Sequence, residues 1–226
     1  MINALAILAG GGIGLLLRGR ISERYSQSLM RVLGLCVAVI GIAAAVGGDI
    51  MLLVVALALG TFFGEFLRIE DGLNRFGLWV QDKLKQDGEG STFAQGFVTA
   101  SLLFCVGAMA IVGSIDSGLR DDQSIIITKS IIDAVAAMMF ASSLGVGVLF
   151  SALAVFVYQG TIEIFAGFFQ DVFTDTLITQ ISAAGGIMIL GLGANMALDM
   201  QNRIKIANLL PGLVFAVVYY YVFMWS

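Results

Sequence analysis

Apolar residues fall in long blocks separated by short polar stretches, at about 2–17, 32–47, 50–67, 94–115, 124–141, 144–168, 178–198 and 206–225. A helix needs roughly 17–25 mostly apolar residues to cross a bilayer. Blocks of that length in regular series predict an all-α polytopic bundle of about eight transmembrane helices. The first two blocks are short, so bilayer thinning or snorkelling flanks are expected there. Only Ser142-Ser143 separates the fifth block from the sixth, which demands a tight hairpin or one bent element.

The segment Ile69–Lys85 has a different period. Ile69, Leu73, Phe76, Val80 and Leu84 recur every three or four residues, with Trp79 beside them and Glu70, Asp71, Asp82 and Lys83 elsewhere. This pattern predicts an amphipathic helix lying in the membrane interface. Trp79, Tyr219–Tyr221 and Trp225 suit headgroup depth. Gln86–Thr92 reads as a polar loop, and Pro211 is expected to kink the last span.

Composition agrees with lipid as the solvent. The chain has 226 residues, 59% hydrophobic and 12% charged, with a mean hydropathy of +0.97. An average soluble domain is about 25% charged. The whole chain, 1–226, therefore reads as a single integral membrane domain. Met1–Leu17 has no basic segment ahead of it and reads as a first span rather than a cleaved signal. Glycine is abundant at 28 residues, and Gly10-xxx-Gly14, Gly41-xxx-Ala45, Gly60-xxx-Gly64 and Ala141-xxx-Gly145 have the spacing that lets membrane helices approach closely. Such grooves serve internal packing or homo-oligomerisation equally well.

Charge supplies an orientation. Arg18, Arg20, Arg24 and Arg31 follow the first block, Arg68, Arg75, Lys83 and Lys85 the third, and Arg203 and Lys205 the seventh. With eight crossings, ten of the twelve basic residues fall on one side, leaving Arg120 opposite and Lys129 within a span. Basic loops stay cytoplasmic, so both termini are expected outside a bacterial inner membrane. The net charge of −4 offers no footprint for nucleic acid.

Ionisable residues at lipid depth cost roughly 2.5–3.5 kcal/mol each on insertion scales and are functional candidates by default. Lys129 and Asp133 lie four apart, on one helix face near the middle of the fifth block. They form either a self-neutralising structural pair or part of an ion or substrate path. Gln159 and Glu163 are again four apart in the sixth block, beside Tyr158, and Glu163 is near enough to the block's end to snorkel. Glu65, Asn195 and Asp199 lie near span ends and read as interfacial. Gly113-Ser114-Ile115 could unwind and present backbone carbonyls to a cation, whereas Gly185-Gly186, Gly191 and Gly193 read as packing positions.

The chain has no histidine, no G-x-x-x-x-G-K-[ST] phosphate loop, no metal-ligand cluster and no nucleophile–base pair. Cys36 and Cys105 sit in apolar runs and read as packing groups. An ATP-driven pump, an enzyme and a resident cofactor are all disfavoured.

Several stretches together resemble a known family. They are Ile2-Asn3-Ala4-Leu5 with Gly10-Gly11, Gly60-x-x-x-Gly64-Glu65 with Ile69-Glu70, and Phe104-Cys105-Val106-Gly107-Ala108-Met109-Ala110-Ile111-Val112-Gly113-Ser114-Ile115. Lys129-Ser130 with Asp133, Tyr158-Gln159-Gly160, Gly185-Gly186 and Asn208-Leu209-Leu210-Pro211 complete the set. Over essentially the whole chain this is similar to the YqgA/YdfK-like bacterial inner-membrane proteins of unknown function. The resemblance implies a label as sodium channel or pump and a link to biofilm formation, but no agreed catalytic residues. The expectation is a secondary transporter or channel for a small cation or small polar solute, using Lys129, Asp133, Gln159 and Glu163 with Gly113 and Ser114. The alternative is a non-transporting sensor, scaffold or partner subunit acting through the 69–85 helix.

Overall fold

The computed structural model describes residues 1–18, 23–84, 90–105, 108–198 and 203–223. Regular structure among these is entirely helical: α1 (Ile2–Leu17), α2 (Glu23–Ala45), α3 (Ile50–Leu67), α4 (Ile69–Leu84), α5 (Gly90–Cys105) and α6 (Ala108–Arg120), then α7 (Ser124–Leu144), α8 (Gly147–Ile164), α9 (Ala166–Val172), α10 (Asp175–Ala197) and α11 (Pro211–Phe223). A 3₁₀ turn at Ile206–Leu209 precedes α11. All eight apolar blocks are mainly helical among the described residues, though the fourth and sixth each hold more than one helix. Five stretches are long and apolar enough to cross a membrane: α3, α7, α8, α10, and the 3₁₀ turn with α11. Ile2–Leu17 and Met30–Ala45 are shorter apolar helices.

The chain forms two compact units, Met1–Ser26 with Asn74–Phe173, and Gln27–Leu73 with Thr174–Ser226. In the first, α1 lies along α7. A Cβ on Gly10 would overlap the Ala134 carbonyl, and one on Gly14 the Met138 carbonyl, so only glycine permits this approach. Both contacts advance along both helices together, so α1 and α7 run in the same direction. The turn between α7 and α8 is two residues, Gly145-Val146, with Gly145 at φ +81°, a conformation that favours glycine.

The fourth block departs from expectation. It is not one helix over 94–115 but two, with Phe93–Cys105 and Met109–Arg120 inclined at 58°. Contacts with α8 show how the two helices run. Phe93, near the start of α5, packs on Gly147 at the start of α8. Ser117 and Gly118, near the end of α6, meet Glu163 at the end of α8. The pair therefore runs along the full length of α8, in the same direction.

In the second unit, Gly34 and Gly41 of α2 face Gly193 and Gly186 of α10, while Gly60 and Gly64 of α3 face Gly212 at the start of α11 and Asn208 of the 3₁₀ turn before it. Both pairs are antiparallel, since the contacts ascend one helix and descend the other. The glycines of α10 are thus packing positions within continuous helix. Asp49 and Thr174 cap α3 and α10, their side chains accepting from Leu52 N–H and Leu177 N–H. Pro211 does not kink a helix. It opens α11, where its missing N–H would have had no partner.

Outward faces are apolar: Leu16, Val46, Ile50, Phe66 and Ile164 are each more than three-quarters exposed. Water would penalise such a surface; acyl chains do not. The amphipathic segment is helical as expected, with Phe76, Leu78 and Trp79 exposed and Phe76 stacked on Trp79 at 6.0 Å. The expected loop at 86–92 is shortened, because Gly90–Thr92 belong to α5 and residues 85–89 lie outside the described set. Arg20, Asp199 and Trp225 also lie outside it.

Candidate functional site

The strongest polar cluster is built from three helices of the first unit. Asp133 is the tenth of the 21 residues of α7, far from either end. Lys129, one turn earlier, donates from Nζ to Asp133 Oδ2. Taking both charges out of water costs several kcal/mol per ion, and mutual attraction offsets this only when the remaining polar capacity is also met.

Part of it is met by α1. The Asn3 amide donates from Nδ2 to Asp133 Oδ2 at 2.9 Å and to Gln159 Oε1 of α8 at 3.2 Å. Lys129, Asp133, Asn3 and Gln159 are all 6% exposed or less. The Phe104 ring of α5 lies 6.0 Å from Lys129 Nζ, within range of a cation–π attraction.

Two atoms of the cluster have no partner within the protein, Asn3 Oδ1 and Gln159 Nε2. Amide reversal does not repair this. Turning Asn3 would set its carbonyl against the Asp133 carboxylate, and turning Gln159 would set one NH₂ against another. The carboxylate thus fixes Asn3, and Asn3 fixes Gln159.

The structure brings together Lys129, Asp133 and Gln159 and adds Asn3. Its signal in the sequence is an amide within an apolar block, of the same kind that marked Gln159. Glu163 lies one turn beyond Gln159, but its hydrogen bond is from Ser117 Oγ, at 2.9 Å. Gly113 and Ser114 are part of regular helix in α6, contrary to the expectation of unwound backbone. The Ser114 hydroxyl donates to Ala110 O at 2.7 Å, and Gly113 makes room for Ile125 and Ile126 of α7. Helical carbonyls are already occupied and are poor cation ligands.

In the second unit several amides and carboxylates hydrogen-bond backbone at helix ends. Asn208 Oδ1 accepts from Glu70 N–H at 2.8 Å, and Glu70 Oε2 accepts from Ala207 N–H at 2.9 Å, a reciprocal clasp on the first turn of α4. Burial pushes the Glu70 carboxyl above its usual range, against the Ala207 hydrogen bond and nearby Lys205. Gln180 Oε1 accepts from Asp49 N–H, and Asn195 closes two bonds with Ile204. Glu65 pairs with Lys205 at 3.3 Å, both about half exposed. In the first unit's exposed 121–123 loop, hydrogen bonds from Ser124 hold Asp122 below the usual carboxylate range.

Among the described residues no three His, Cys, Asp or Glu side chains converge as a metal site. A groove of about 560 Å³ between α1 and α8, lined by Leu5, Leu8, Leu149, Phe150, Leu153 and Phe156, is apolar. It suits an acyl chain and offers nothing to recognise a polar solute.

Apolar helices with lipid-compatible faces, around an ion pair buried at mid-helix, define a helical membrane protein. The chain belongs to the family described as protein of unknown function (DUF554), which matches residues 1–221. It is 31% identical over 219 residues to the uncharacterized membrane protein YdfK of Bacillus subtilis, covering 95% of this chain and 91% of that one. It is 32% identical over 219 residues to the uncharacterized protein YqgA of Escherichia coli, covering 95% and 92%. No solved structure matches.

Proposed function

We propose that this protein is a secondary transporter or channel that passes a small cation or small polar solute across the bacterial inner membrane, through the cluster of Asn3, Lys129, Asp133 and Gln159. The observation that carries the reading is a buried charge pair at mid-helix whose polar neighbours keep unspent hydrogen-bonding capacity. A purely structural ion pair gains most from full satisfaction; a site that must admit and release a solute cannot be saturated by its own protein. Asp133 and Gln159 meet the solute, and Lys129 is the countercharge that moves as the solute passes. Flux into proteoliposomes tests this. Wild-type protein raises uptake of a cation or polar solute, and Asp133→Asn abolishes it; unchanged uptake in the variant rejects the mechanism.

The topology we propose is eight crossings with both termini outside. Helix directions support it: α1 parallel to α7, the broken α5–α6 span parallel to α8, and antiparallel α2–α10 and α3–α11 pairs all agree with eight alternating crossings. That topology collects Arg18, Arg68, Arg75, Arg203 and Lys205 on the cytoplasmic side. Cysteines introduced at Asp121 and at Arg75 should react with an impermeant thiol reagent from outside and from inside, respectively. The reverse labelling excludes this orientation.

A further inference from the structure

The unpaired atoms of the cluster carry information about what would bind there. The Lys129 ammonium already neutralises the single carboxylate of Asp133. A bare cation entering beside them would put two positive charges against one negative in a site nine-tenths shielded from water, where repulsion is poorly screened. It would also find few ligands. Hard cations such as Ca²⁺ take 6–8 oxygens. Here Gln159 Oε1 is engaged by Asn3, and Asp133 Oδ2 by both Lys129 and Asn3. Only Asn3 Oδ1 is an amide acceptor left unspent in the cluster. An anion meets the Asp133 carboxylate and a lysine already committed to it. Among the amide atoms of the cluster, those left without a partner are one acceptor, Asn3 Oδ1, and one donor group, Gln159 Nε2, and the carboxylate fixes which amide presents which.

Resting on the transport reading above, we propose that the transported solute is a small uncharged molecule carrying both a hydrogen-bond donor and an acceptor, of the amide or urea type. The solute's N–H donates to Asn3 Oδ1 and its C=O accepts from Gln159 Nε2. Both capacities buried in the protein are then satisfied without adding charge to the balanced Lys129–Asp133 pair. No bond is made or broken.

Purified full-length protein in liposomes distinguishes the solute class from the transport reading. The probes are radiolabelled urea and acetamide, with ²²Na⁺ and ⁸⁶Rb⁺ in parallel. Wild-type protein is expected to accelerate urea or acetamide entry over protein-free vesicles and to leave both cations excluded. Gln159→Met, which removes the free donor and keeps the Asn3–Asp133–Lys129 bonds, should slow entry about tenfold, the weight of one hydrogen bond. Gln159→Glu replaces the presented NH₂ by a second carboxylate oxygen and should slow it at least as much. Both variants are compared only as monodisperse protein of wild-type melting temperature. Should neither fold, competition supplies the measurement on wild-type protein: acetamide should inhibit urea entry, and N,N-dimethylacetamide, which accepts but cannot donate, should not. Cation entry that Asp133→Asn abolishes, with no acceleration of urea or acetamide, overturns the solute class and retains transport. Equal inhibition by both amides, or full amide uptake in folded Gln159→Met, also overturns it. Movement of none of the four probes overturns both readings.

Discussion

The two compact units treat polar groups differently. In the second, amides and carboxylates serve chain ends: Asp49 with Gln180 starts α3, Glu70 with Asn208 holds the start of α4, and Asn195 closes on Ile204. Each replaces a backbone partner that a helix terminus lacks. In the first unit, Lys129, Asp133 and Gln159 sit inside helices whose backbone is already satisfied. Polarity there does nothing for secondary structure and must be explained by tertiary packing or by a solute. The distinction is between polar groups that repair a break in the backbone ladder and polar groups placed where no break exists.

The sharpest way to break this comparison is to remove one charge. Lys129→Met leaves Asp133 buried and unpaired, and should cost about 3–5 kcal/mol. Lys129→Met with Asp133→Leu should recover most of that, while solute flux stays absent. Thermal unfolding in detergent, with flux measured on the same preparations, checks both expectations. A double variant that still transports would return the pair to a structural role.

Glycine packing gives the next effect. Gly10→Ala forces a Cβ into the Ala134 carbonyl and Gly64→Ala into Asn208, and each should cost roughly 1–3 kcal/mol by overpacking. Gly12, in the same helix as Gly10, has nothing within 4 Å of its added Cβ. Gly12→Ala should leave the melting temperature unchanged or slightly raised. Equal losses at Gly10 and Gly12 would mean that α1 does not pack on α7 as described.

In the second unit, Asn208→Ala withdraws the acceptor from Glu70 N–H and should cost about 1–2 kcal/mol. The readout is faster proteolysis within α4 while solute flux persists. Loss of flux with intact folding would instead join the α4 clasp to the transport function.

The smallest effect concerns pH at the clasp. Because burial raises the Glu70 carboxyl above 4.5, the folded state holds its proton more tightly than the unfolded chain does. Its contribution to stability is therefore greatest in acid and declines as pH rises from 4.5 through the folded-state value. Lys205, Glu65 and Asp71 are the charged groups that bear on it. Glu70→Gln keeps an acceptor for Ala207 N–H and should flatten the profile of melting temperature over about pH 4–7. An unaltered slope would assign the dependence to another group.

Much of this was legible in the sequence because lipid imposes local rules. The apolar blocks are mainly helical, and Lys129, Asp133 and Gln159 stand out because charge or amide inside an apolar run is costly whatever surrounds it. Asn3 did not stand out, since an amide two residues from the chain start reads as interfacial; its bonds span 130 and 156 residues. The break in the fourth block was hidden because hydropathy is continuous through it. Gly113-Ser114 misled for the opposite reason. Residues that can unwind a helix also persist in one when serine turns back on its own backbone and glycine receives a neighbour's side chain.

The two-residue connection at Gly145-Val146 has a mechanical consequence. A link that short spans only about 7 Å at full extension, so α7 cannot slide far along α8. Asp133 and Gln159 therefore stay in register. Of the helices whose side chains are hydrogen-bonded in the cluster, α1 alone is free of that tether, and at Gly10 and Gly14 it lies closest to backbone carbonyls of α7. A piston needs a fixed cylinder. Here the α7–α8 hairpin is the cylinder, and displacing α1 would draw Asn3 away from both partners in one stroke.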